Sequence, residues 1–204
     1  MTKYEMSNLT QYDKHLLFYT KRPETIFVRG EGSYLYDQEG HKYLDFLAGW
    51  AVNSLGHCPQ VVIDALTQQA GTLINSSPAF YNKPMLDFAS LLSDNTVFSK
   101  AFFASSGAEA NESAIKLARK YGQKFKNGAS EVITLSRAFH GRTLATMSAT
   151  GKPQWKDLFE PKPLGFKQAK FNDIESVKSA ITPHTCAIML EPVQGEGGVY
   201  PANN

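Results

Sequence analysis

The chain has 204 residues, 42% of them hydrophobic and 20% charged, which fits a soluble globular protein of one large domain or one and a half ordinary ones. Its net charge of +2 gives no electrostatic case for nucleic acid or an anionic membrane. No apolar run approaches the length of a membrane span, and Met1 to Ser7 has no apolar signal core. Cys58 and Cys186 stand far apart and follow no metal spacing, so they read as reduced thiols of a cytoplasmic protein.

In chain order, residues 1–30 are polar and read as an irregular arm that needs something to pack on. Ser33 to Asp37 and Lys42 to Phe46 flank a Gln-Glu-Gly-His turn, which predicts a β-hairpin with Gly40 at the position that tolerates positive φ. Residues 49–57 contain two glycines and no clean period, and read as a loop. Val62, Ala65, Leu66, Gln69, Ala70 and Leu73 predict a helix after Pro59. Residues 75–82 form another loop, and Pro84 opens a helix with Met85, Phe88, Ala89 and Leu92 on one face.

From residue 100 strand and helix patterns alternate. Ala101 to Ala104 reads as a short buried strand and Ala108 to Tyr121 as a helix. Glu131 to Leu135 and Thr185 to Leu190 are two further strands, with a helix around Ile174, Val177 and Ile181 capped by Asn172 or Asp173. Near-continuous apolar strands separated by helices predict an α/β fold, its sheet mainly parallel with helices on both faces. Three strands are few for such a sheet, so the sequence reads as a truncated part of a longer chain.

Ligands of parallel α/β sheets bind beyond the C-terminal ends of the strands, and three segments fall there. Ser105-Ser106-Gly107-Ala108 precedes a helix, whose N-terminus can hold a phosphate on backbone N–H groups; an ordinary capped turn would look the same. Ser136 to Thr143 brings Phe139, His140 and Arg142 after a strand. Phe139 can stack on a planar heterocycle or pack in the core, and Arg142 can clamp a carboxylate. His140 suits a hydrogen-bonded structural histidine. In Glu191-Pro192-Val193-Gln194-Gly195-Glu196-Gly197-Gly198-Val199, Glu191 ends an apolar strand, which is costly for a carboxylate without a partner or a task. Glu196 lies among glycines that allow close backbone approach; a solvated loop with a surface acid is the plainer reading.

Taken in order and spacing, these blocks resemble the class III (subgroup II) aminotransferases of fold type I, which use pyridoxal 5'-phosphate (PLP), and within them the acetylornithine branch. Tyr43 to Phe46, Gly49 to His57 and Ser77 to Asn82 share the likeness, which runs from about Arg29 to the end. The resemblance implies that Ser106, Gly107 and Ala108 hold the PLP phosphate, that Phe139 stacks on its ring, and that Glu191 lies close to the cofactor. It implies that Arg142 contacts the amino-acid substrate and that Glu196 pairs with a downstream arginine. The implied activity is transfer of the ω-amino group of N-acetylornithine to 2-oxoglutarate in arginine biosynthesis, with glutamate as product. Ornithine, succinylornithine or 4-aminobutyrate are the alternative donors.

The family's Schiff-base lysine, the aspartate at the pyridine nitrogen and a phosphate-binding threonine of the partner subunit all map past Asn204. Lys116 and Lys120 read as a solvated helix face. The chain alone is therefore expected to be inactive, and a non-catalytic short homologue is the rival from another class. The resemblance further implies a homodimer. It divides the chain into a small-domain segment at 1–74, with arm, hairpin and linking helix, and the incomplete first part of a large PLP-binding domain at 75–204. A truncated large domain would expose strand edges and be poorly soluble alone.

Overall fold

The computed structural model describes residues 15–17 and 20–203. They form two compact units divided between Leu86 and Asp87.

The first unit contains an antiparallel sheet of β1 (Phe27–Glu31), β2 (Tyr34–Asp37) and β3 (Lys42–Leu44), in that order. The expected hairpin is β2–β3, with Tyr34 opposite Leu44 and Gly40 at φ +85°. Buried Asp37 stitches its turn by accepting from the His41 N–H and the Tyr43 hydroxyl, both at 2.8 Å. The arm read over residues 1–30 lies in part outside the described residues, and β1 corrects it where it is described. Arg29 and Glu31 make this strand look polar, yet they pair with each other at 2.6 Å on its exposed face, and the free edge of β2 completes its ladder. Overlapping the start of the expected loop at 49–57, Ala48–Ala51 makes one left-handed turn with φ of 48°, 61°, 65° and 61°. Such backbone costs about 1–2 kcal/mol per non-glycine residue. Asp45 helps to hold it, its Oδ1 accepting from the N–H groups of Leu47 and Ala48 at 2.9 Å each. Helix α1 (Gln60–Ala70) follows Pro59 as the periodicity predicts, and α2 (Lys83–Asn95) contains the division between the units.

In the second unit, β4 (Glu131–Leu135) lies between β5 (Phe166–Ala169) and β6 (Thr185–Ile188), parallel to both. Val132, Ile133, Thr134 and Leu135 are all buried, and since successive side chains point to opposite faces, both faces of the sheet are covered. Helix α3 (Gly107–Phe125) packs against β6 and β4. Gly122 permits the approach, because a Cβ there would lie 1.9 Å from the Ala129 carbonyl oxygen. Helix α4 (Leu144–Ala149) also contacts β4, and α5 (Ile174–Ala180) contacts β5. Of the two expected caps on α5, Asp173 is the one used, accepting from the Ser176 N–H at 2.9 Å. Ile133, Leu135, Ala169 and Phe171 form the core, with Val177 and Ala180 of α5 packed on it.

The expected strand at Ala101 to Ala104 is absent. No described residue supplies the ladder it needs, Phe102 is 71% exposed, and Phe103 stacks on Phe88 at 5.7 Å. Its place as a third strand is taken by β5. A short hairpin of β7 (Val193–Gln194) and β8 (Tyr200–Pro201) encloses the glycine-rich loop. No helix among the described residues is long and apolar enough to cross a membrane.

Candidate active site

The site is built around the start of α3. Ser106 is its N-cap, with extended backbone, and its Oγ accepts from the Glu109 N–H at 3.2 Å while donating to the Glu109 carboxylate. Ala110 donates to the Ser106 carbonyl, which leaves the N–H groups of Gly107 and Ala108 without an acceptor among the described residues. These groups and the helix dipole face the N-terminal end of a 19-residue helix. A Cβ at Gly107 would meet nothing within 4 Å, so the approach to them is open.

The segment after β4 is drawn onto this helix start. A Cβ at Gly141, whose φ is +131°, would lie 2.9 Å from the Ala108 Cβ. Asn111 donates to the His140 carbonyl at 2.8 Å and Thr143 donates to the Glu112 carboxylate at 2.5 Å, both one turn or so into α3. On its other side the segment is tied to Gly151: the Arg137 N–H donates to Gly151 at 2.8 Å, and the Gly151 N–H donates to Ala138 at 2.9 Å. Only glycine fits there, since a Cβ would lie 2.3 Å from the Leu135 carbonyl oxygen.

The third segment closes the arrangement. Glu191 accepts the Phe139 N–H at 2.9 Å, so the acid that ends β6's apolar run holds the aromatic ring's backbone. Buried Gln194 donates to the Ser136 carbonyl at 2.9 Å. Phe139 is half-buried, edge-on to Trp155 with centroids 6.0 Å apart. Glu196 forms an ion pair with Lys152, whose ammonium lies 5.3 Å from the Phe139 centroid and 4.8 Å from that of Trp155.

Ser106, Gly107, Ala108, Phe139 and Glu191 are thus gathered at one end of the parallel sheet, with Glu196 linked to Phe139 through Lys152. Arg142 is exposed and has no ion pair among the described residues. His140 is 4% exposed; its N–H donates to Thr150 Oγ1 at 3.1 Å while its Nε2 has no partner, and burial pushes the imidazole below its ordinary range. Asn111, Lys152 and Trp155 were not legible as site residues. Asn111 sits mid-pattern on an amphipathic helix, and Lys152 and Trp155 lie in a stretch with no clear period.

Residues 19–204 match the family model described as aminotransferase class-III. The chain belongs to the class-III aminotransferase family. An acetylornithine aminotransferase of Ralstonia nicotianae is 58% identical over 191 residues, covering 92% of this chain and 48% of that protein. An ornithine aminotransferase structure from Toxoplasma gondii, described as holding PLP at partial occupancy in its active site, superposes with a TM-score of 0.87 at 30% identity, over 96% of this chain and 47% of that one. The N-acetylornithine aminotransferase structure from Stenotrophomonas maltophilia gives a TM-score of 0.76 at 34% identity, over 96% and 47%. The class-III chain described here therefore has the α/β fold of PLP-dependent aminotransferases, and it spans about half the length of the curated relatives it matches.

Proposed function

We propose that the protein containing these residues is a PLP-dependent aminotransferase that moves the ω-amino group of N-acetylornithine to 2-oxoglutarate. The observation that carries the reading is the convergence of unpaired Gly107 and Ala108 N–H groups with the Phe139 platform. These residues fit the cofactor: an open, electropositive helix start suits a phosphate, and a half-buried ring beside it suits a planar heterocycle. Ser106, Gly107 and Ala108 would hold the phosphate, Phe139 would support the ring, and Glu191 would keep Phe139 in place. When bound, PLP supplies the electron sink for proton removal at the amino-bearing carbon. Arg142, exposed and without an ion pair among the described residues, would receive a substrate carboxylate bidentately. Glu196 would line the same pocket.

The name acetylornithine aminotransferase, carried by relatives at 58% and 50% identity, supports the acetylated donor. We assign residues 1–74 to a small-domain segment and 75–204 to the first part of a large PLP-binding domain. We also assign the covalent attachment of PLP to a lysine outside residues 1–204, so that these residues alone turn nothing over. We assign the protein to a homodimer on the family resemblance.

A donor panel on the full-length protein tests the reaction. N-acetylornithine is expected to give the highest kcat/KM with 2-oxoglutarate as acceptor. A clear preference for ornithine, succinylornithine or 4-aminobutyrate would assign the site to another donor, and no transfer from any of them would refute the aminotransferase reading.

A further inference from the structure

Arg142 is held through its neighbours on both sides, and both holds run to α3. On one side, Asn111 donates to the His140 carbonyl at 2.8 Å. Gly141 is wedged so closely that a Cβ there would lie 2.9 Å from the Ala108 Cβ and 2.7 Å from Thr146 Oγ1. On the other side, Thr143 occupies the N-cap of α4, where a threonine hydroxyl ordinarily accepts from a free N–H of the first turn. Here it makes no such cap bond. Its hydrogen goes instead to the half-buried Glu112 carboxylate at 2.5 Å, 31 residues back in the chain. Buried Thr146 lies with its Oγ1 2.7 Å from that hydroxyl and 3.1 Å from the Thr143 carbonyl, and its hydrogen is shared between the two. A hydroxyl that accepts from a buried side chain and donates to a carboxylate is fixed in direction. Thr143 thus forgoes capping its own helix, and the bond it makes instead ties the residue after Arg142 to the helix that starts at Gly107.

We propose that Thr143 and Glu112 are positioning residues for Arg142: their hydrogen bond fixes the arginine's backbone to α3 and so sets how strongly the site prefers a donor that carries a carboxylate. This rests on the reading that Arg142 receives that carboxylate. A bidentate guanidinium–carboxylate pair is demanding in geometry, so the position of the arginine's backbone matters as much as its charge. Arg142 is itself exposed and has no ion pair among the described residues, so its place is set by Gly141 and Thr143 on either side. Because α3 also begins at the proposed phosphate site, one rigid helix fixes the span between the phosphate and the carboxylate, and with it the length of donor that fits between them.

The test compares two donors on the full-length holoprotein with 2-oxoglutarate as acceptor: N-acetylornithine, and N-acetyl-1,4-diaminobutane, the same amine without the carboxylate. The wild-type protein should prefer the acid in kcat/KM by about tenfold or more, as expected for a charge-assisted pair. Thr143→Val and Glu112→Ala should each cut that preference by about fivefold, through a raised KM for the acid with kcat little changed, while the decarboxylated donor is used as before. The double variant should lose no more than either single one, because both remove the same bond. Thr143→Ser keeps the hydroxyl and Glu112→Gln keeps an acceptor, so both should retain most of the wild-type preference. A purely structural role would lower the two donors alike and leave their ratio unmoved. An unchanged ratio in Thr143→Val and Glu112→Ala would overturn the inference and leave the carboxylate reading intact. A wild-type ratio near one, or no transfer from either donor, would overturn both.

Discussion

His140 is the most deeply buried titratable side chain near the site, and its imidazole is the clearest residue-scale probe of how the segment after β4 packs. Burial without a partner for Nε2 lowers its affinity for a proton relative to the ordinary value of 6.5. The folded protein then binds fewer protons here than the unfolded chain. The stability linked to His140 is complete above about pH 6.5 and is lost as the pH falls below it, down to the depressed folded value. Urea midpoints should therefore decline between about pH 7.5 and 5.5 in the wild-type protein and decline less in His140→Asn. Parallel slopes for the two proteins would show that His140 is not held neutral. Asp45 contributes in a separate, more acidic window: the Ala48 N–H, His57 and the Leu47 N–H hold its carboxyl below 3.8, so its contribution is present above that value and lost as the pH falls further.

At the scale of elements, the site depends on α3 being tied to the segment after β4 as much as on its own capping. Asn111 carries that tie through the His140 carbonyl, one residue from Phe139. Replacing it with alanine leaves a half-buried carbonyl without its donor, at a cost of about 1 kcal/mol. Asn111→Ala should lower the urea midpoint and weaken PLP binding several-fold, read by fluorescence titration of the full-length protein. Unchanged cofactor affinity would mean that the helix start and the Phe139 segment hold their places independently. Sequence made α3 legible because a small-residue turn, a Ser-x-x-Glu cap and an amphipathic period all coincide there. It made β4 and β6 legible because they are apolar throughout. Phe166-Lys167-Gln168-Ala169 escaped notice because polar residues interrupt it, and its membership of the sheet is decided by pairing with β4 rather than by its own pattern. The opposite error arose at Ala101 to Ala104, where an apolar run suggested a strand although no neighbouring backbone completes one among the described residues. The left-handed turn at Ala48–Ala51 could not be read from a segment with one glycine, since its conformation depends on Asp45 bonding to it.

For the whole molecule, the second compact unit, with its three-stranded parallel sheet, brings the segments at 106–108, 139–143 and 191–196 together. Under the proposed function these segments bind and orient the cofactor, and a lysine outside residues 1–204 supplies the amine. Those two statements meet in one experiment, the intact mass and peptide map of the protein from its natural source after borohydride reduction. One reduced PLP per chain, on a lysine outside residues 1–204, is the expected result. An unmodified protein, or PLP fixed to a lysine within residues 1–204, would contradict the account.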